Sequence, residues 1–96
     1  MNREKALKLL TSCKAELQSK FGVSELYLFG STARDDTHEN SDVDILVHFN
    51  GPATAKRYFG VQFYLEDLLG CSVDLVTQKA LRAELLTYVE QERIHV

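Results

Sequence analysis

The chain has 96 residues and a formal net charge of −3, with 45% hydrophobic and 26% charged residues. That length allows one domain, spanning 1–96, with a modest core that favours a stable protein partner. The acidic balance argues against a direct grip on nucleic-acid backbone, and no apolar stretch is long enough for a signal peptide or a membrane span, so the cytoplasm is the expected location.

Residues 2–20 predict an amphipathic helix, because Leu7, Leu10, Cys13 or Lys14, Leu17 and Phe21 recur at three or four residues and Gly22 follows as a stop. Residues 24–29 (SELYLF) predict a first strand, ended sharply by Gly30 and Ser31. Residues 32–41 are polar and turn-like, with one helical turn at most at their start. Residues 42–49 predict a second strand, in which Val43, Ile45, Val47 and Phe49 alternate with Asp42, Asp44, Leu46 and His48. Asn50-Gly51-Pro52 breaks it. A second helix is expected over 53–69, with Phe59, Phe63 and Leu68 or Leu69 inward; Gly60 predicts a late start or a bend, and Gly70 a cap. Residues 72–77 predict a third strand. A last helix is expected over 78–93, with Leu81, Leu85 and Tyr88 or Val89 inward, before a short tail carrying Ile94 and Val96. The order α-β-β-α-β-α predicts an α/β (α+β) fold, a small mixed sheet with helices packed on it.

The chemistry is concentrated between residues 30 and 44. Gly30-Ser31 is followed by ten residues and then Asp42-Val43-Asp44. Two aspartates separated by one residue on a strand share a face, with Cα atoms roughly 6.5–7 Å apart. The strand continues as Ile45-Leu46-Val47 and so enters the interior, where uncompensated carboxylates are costly. A divalent cation removes that objection, and hard oxygen ligands select Mg²⁺ or Mn²⁺. Asp74 opens another short apolar strand; beside the second strand, it joins Asp42 and Asp44. Three carboxylates can hold two metal ions, and two ions clamp the attacking and leaving oxygens of an in-line phosphoryl displacement. Gly30 lets the backbone approach an anion, turn amides and the Ser31 hydroxyl supply donors, and Arg34 reaches phosphate or a protein partner. The bland readings are a common Gly-Ser turn and aspartates as surface charge at strand starts; the conjunction of all of these in one order argues against them. Cys13 and Cys71 read as small buried hydrophobes, with no disulfide or metal spacing. His38, Glu39 and His48 read as solvated or structural, and core packing is the first reading of Tyr58 and Tyr64, with a nucleobase pocket the second.

The segment LFGSTARDDTHENSDVDILVHF resembles the signature of the polymerase-beta-type nucleotidyltransferase superfamily, and nearly the whole chain resembles its minimal nucleotidyltransferases. The resemblance implies ATP bound through Gly30 and Ser31, two metal ions held by Asp42, Asp44 and Asp74, and a HEPN-domain RNase toxin as partner in a type VII toxin–antitoxin pair. It also implies transfer of AMP to a tyrosine hydroxyl of that toxin. Many relatives carry Arg and Gly where this chain has Thr32 and Asp35, which puts a phosphate or partner role for position 32 in question. Two other readings stay open at this level. One is a nucleotidyltransferase with a small-molecule or nucleic-acid acceptor. The other is a non-catalytic antitoxin that masks its toxin, against which the intact aspartates argue.

Overall fold

A computed structural model describes residues 2–34, 42–77 and 93–96. Helix α1 (Arg3–Phe21) starts where the Asn2 side chain accepts a hydrogen bond from the Lys5 N–H at 2.8 Å. It stops at Gly22, whose left-handed backbone (φ 70°) returns its N–H to the Gln18 carbonyl. Four strands follow: β1 (Val23–Phe29), β2 (Val43–Phe49), β3 (Val73–Thr77) and β4 (Ile94–His95). Between them lie the single turn α2 (Gly30–Ala33) and the longer α3 (Ala55–Leu69). The sheet order is β3-β2-β1-β4; β1 pairs antiparallel with β2 and β4, and β2 pairs parallel with β3. A parallel pair needs a crossover, and α3 supplies it.

Strand β2 is central, which explains its apolar run. Val43, Ile45 and Val47 are fully buried beneath the helices, together with Ala6, Leu10 and Leu17 of α1 and Val61 and Leu65 of α3. Leu46 points to the other face and is also fully buried, beside Tyr27, Phe29 and Val76. Farther along that face the Tyr27 hydroxyl donates to Glu25 at 2.5 Å, and Arg93 lies 4.3 Å from the centre of the Tyr27 ring.

The expected helix and strand limits hold within two residues for α1, β1, β2, α3 and β3. Three points differ. Phe59 and Phe63 are not inward; they are 50% and 66% exposed, and Val61, Leu65 and Leu69 form the buried face of α3. The tail at Ile94 and His95 is a strand, paired with Leu28 and Tyr27. Gly60 neither delays nor breaks α3. The last expected helix, over 78–93, lies outside the described residues except for its end. No helix among the described residues is long and apolar enough to cross a membrane.

Gly60 faces α1 closely: a Cβ there would stand 2.5 Å from Cε1 and 3.0 Å from Cδ1 of Phe21. Alanine's better helix propensity, about 1 kcal/mol over glycine, is therefore opposed by overlap with that ring. Gly60→Ala is expected to stabilise a Phe21→Ala protein by about 1 kcal/mol and to give a smaller gain, or a loss, in the wild type. Urea midpoints of the four proteins in this cycle measure the difference, and equal gains in both backgrounds would refute the packing account.

Candidate active site

The site forms where β1 ends and β2 and β3 begin. The Val43 N–H donates to the Ser72 carbonyl at 3.0 Å, which fixes the start of β2 against the start of β3. The parallel register that follows puts Asp44 opposite Asp74, on strands about 4.8 Å apart. The antiparallel register on the other side puts Asp44 opposite Phe29, the residue before Gly30. Asp44 is thus flanked by a carboxylate on one strand and by the chain reversal on the other.

Gly30 begins α2 with φ +72° and lies directly against Asp44. A Cβ built there collides with Asp44 Oδ2 and stands 2.8 Å from its Cγ. Glycine is required twice, for the left-handed backbone and for the space the carboxylate occupies. Ser31 is half-buried, and Thr32 and Ala33 are buried, so α2 is seated in the body of the protein. Arg3 adds a long contact of 3.5 Å from its guanidinium to the Ala33 carbonyl. Thr32 is fully buried, and among the described residues its hydroxyl has no hydrogen-bond partner, so this position is inaccessible to a phosphate.

The electrostatics centre on Asp44. Burial, then the charge of Asp74, a carboxyl–carboxyl hydrogen bond with Asp74, and the charge of Asp42 push its pKa up to about 6; the Arg34 guanidinium pulls the other way. Asp42, just before β2, and Asp74 are both exposed. The strands therefore bring together Gly30, Asp44 and Asp74, with Asp42 and Arg34 within electrostatic reach of Asp44. Among the described residues, however, no three His, Cys, Asp or Glu side chains already stand as a ligand shell; Asp42 and Asp74 converge on Asp44 as two pairs. The donor set is all carboxylate oxygen and its members repel one another, which fits a hard divalent cation.

The other candidates fall elsewhere. Asp35, His38 and Glu39 lie outside the described residues. His48 turns its Nδ1 to Glu25, 3.3 Å away, and packs against the Tyr27 ring. The Tyr58 hydroxyl donates to the Leu75 carbonyl and the Tyr64 hydroxyl to Glu16, so both tyrosines brace the scaffold rather than line a nucleobase pocket. Cys13 is buried, with its thiol pushed up to about 11 by that burial, and neither cysteine is in a disulfide. A cavity of about 270 Å³ opens at the opposite end of the sheet, between Ser24, His48, Phe49 and Thr77, and contains none of the site aspartates. The residues that sequence reasoning missed are Glu66 and Gln62 of α3. Glu66 accepts from the Val73 N–H at 3.1 Å, and Gln62 donates to the Val73 carbonyl at 3.4 Å, so α3 holds the residue just before Asp74. Only their spacing of four on a helix hinted at a shared target.

Residues 10–96 match the nucleotidyltransferase domain family. The protein adenylyltransferase MntA of Thermococcus cleftensis is 41% identical over 88 residues, covering 92% of this chain and 89% of that protein. Among solved structures, a candidate minimal nucleotidyltransferase is 32% identical with a TM-score of 0.84, covering 100% of this chain and 97% of the other. A toxin–antitoxin complex with AMP-PNP contains a chain 26% identical with a TM-score of 0.70, covering 99% of this chain and 72% of that one.

Two outcomes follow from the geometry. Gly30→Ala is expected to destabilise the protein by at least about 1 kcal/mol, and replacing Asp44 by Ala in that background should return part of the loss; urea unfolding measures both. The second concerns pH. Asp44 has a folded pKa near 6 against an ordinary value of 3.8. Its contribution to stability in metal-free protein is therefore fully present below pH 3.8 and lost as pH rises through 6. Unfolding midpoints of wild type and Asp44→Asn, compared across that window, should diverge in that direction. Parallel profiles would show that Asp44 titrates normally.

Proposed function

The chain belongs to the nucleotidyltransferase domain family, and from that premise we propose that it is an antitoxin protein adenylyltransferase acting on a HEPN-domain RNase toxin. The reaction is ATP plus a tyrosine hydroxyl of the toxin giving AMP-tyrosine and pyrophosphate. The observation that carries this reading is the apposition of Gly30, Asp44 and Asp74 at the strand ends. Similarity to the Thermococcus adenylyltransferase and to a toxin–antitoxin complex with an ATP analogue supports the choice of nucleotide and partner class.

Asp42, Asp44 and Asp74 would hold two Mg²⁺ ions, or Mn²⁺, which when bound neutralise triphosphate charge and make the incoming hydroxyl more acidic. The chain's own groups do the rest. Gly30 gives the Asp44 carboxylate its room against the turn whose amides would meet the triphosphate. The Ser31 hydroxyl and the amides of the α2 turn donate to phosphate oxygens, and Arg34 adds positive charge on that side. Asp74, on the outermost strand of that end and exposed, takes the tyrosine proton as the oxygen attacks the α-phosphorus. The bond from that phosphorus to the bridging oxygen breaks, and pyrophosphate leaves. The carboxylates of Asp42 and Asp44 stay on the triphosphate side.

The test is incubation of the chain with its helical partner protein, ATP and Mg²⁺, followed by intact-mass measurement of the partner. Transfer appears as one or more AMP increments that accompany loss of RNase activity. Asp42→Asn with Asp44→Asn should abolish the increment while circular dichroism stays unchanged. Asp74→Asn should retain ATP binding and slow transfer by about a hundredfold or more. A silenced but unmodified toxin would replace transfer with masking, and full transfer by the Asp42/Asp44 variant would remove those residues from the metal site.

A further inference from the structure

The outer side of α3 carries a feature that neither the core nor the aspartate site uses. Phe59 and Phe63 are 50% and 66% exposed, and their rings stack with centroids 6.3 Å apart. Single exposed apolar residues are ordinary; two large rings stacked on one helix form a patch. Along the helix axis the patch is bracketed by exposed Lys56 at the N-terminal side and exposed Asp67 at the C-terminal side. At 3.6 residues per turn, the four residues occupy an arc of about 80°, on the side away from the buried Val61 and Leu65. Lys56 and Asp67 are about 16 Å apart along the axis, too far to pair with each other. Among the described residues neither makes an ion pair.

We propose that this stripe is where a second copy of the same chain docks, α3 against α3, antiparallel about a two-fold axis. The argument is one of symmetry and charge. The aromatic pair is centred on residue 61, and Lys56 and Asp67 are centred half a residue farther on. A two-fold axis through that centre lays the phenylalanines of one copy on those of the other. The same rotation sets each Lys56 opposite the other copy's Asp67, twice over, so one operation satisfies both the apolar and the charged members of the stripe. Such self-complementarity is what an isologous interface requires. A parallel arrangement would place Lys56 beside Lys56 and Asp67 beside Asp67. The two rings expose roughly 230 Å² per copy, well short of a standard interface of about 1,200–2,000 Å² in total. The dimer is therefore weak and depends on concentration.

Sedimentation velocity from low micromolar to millimolar chain, without any partner protein, tests this. Wild type should move from monomer toward dimer as concentration rises, and Phe59→Ser with Phe63→Ser should weaken association by about tenfold or more. Both positions are exposed, so the fold should survive; circular dichroism checks it. The charges give an independent arm. Lys56→Glu and Asp67→Lys should each weaken association, and the chain carrying both should recover it, because the reversed pairs again attract across the axis. Wild type that stays monomeric throughout overturns the proposal, as do association indifferent to the phenylalanines and a double charge variant that fails to recover. So does a patch that becomes protected only when a helical partner protein is added, which would assign it to that partner.

Discussion

The Asp44 carboxylate rests against a backbone that has no side chain to offer it, and beside a second carboxylate on the next strand. Everything else at this end of the molecule serves that contact. The left-handed Gly30 turns β1 away before it can clash. The seat of Thr32 and Ala33 in the body of the protein keeps the turn there. The Val43–Ser72 hydrogen bond sets the strand register that brings Asp74 across. In isolation the arrangement is unfavourable, since like charges are held together in partial burial. It persists because the apolar strands leading away from it are fully buried beneath α1 and α3, and they leave the strand ends no other register. Repulsion of this kind is relieved by positive charge, which is what the proposed metal ions would supply.

Much of this was legible in the residues. The alternation of Val43, Ile45 and Val47 identified β2, and the Asp-x-Asp at its head stood out because nothing in strand stability asks for it. Gly30-Ser31 announced the turn. What one sequence cannot encode locally is which strand lies beside which. That Asp74 falls opposite Asp44 rather than elsewhere is a property of the α3 crossover and of parallel pairing. The same limit explains the errors on α3. Phe59 and Phe63 looked inward because large apolar residues usually are, yet the smaller Val61 and Leu65 take the buried face, and Gly60 is there to let α1 approach. The strand at Ile94 and His95 was invisible because two residues carry no periodicity; it exists only because β1 offers an edge.

The two ends of the sheet differ in character. Near Asp44, Asp42 and Asp74 are exposed and add to burial in raising its pKa, and Arg34 only partly opposes them. Toward the far end, on the same face, Glu25 is shared by the Tyr27 hydroxyl and His48, with Arg93 stacked over Tyr27. The Tyr27 hydroxyl bond, followed by the nearby cationic and imidazole groups, holds the Glu25 carboxyl below its ordinary range, so here the negative charge is matched in place. Among the described residues, one end matches its carboxylate in place, and at the other burial and the neighbouring carboxylates raise the pKa of Asp44.

The grip of α3 on Val73 has a mechanical corollary. Glu66 and Gln62 hold the amide and the carbonyl of the residue immediately before Asp74, from a helix whose neighbouring stripe at Phe59 and Phe63 is exposed. The helix is thus a rigid handle attached to the peptide that aims the third aspartate. A shift of that helix therefore moves the peptide next to the third carboxylate together with Val61, Leu65 and Leu69, the core residues that seat it.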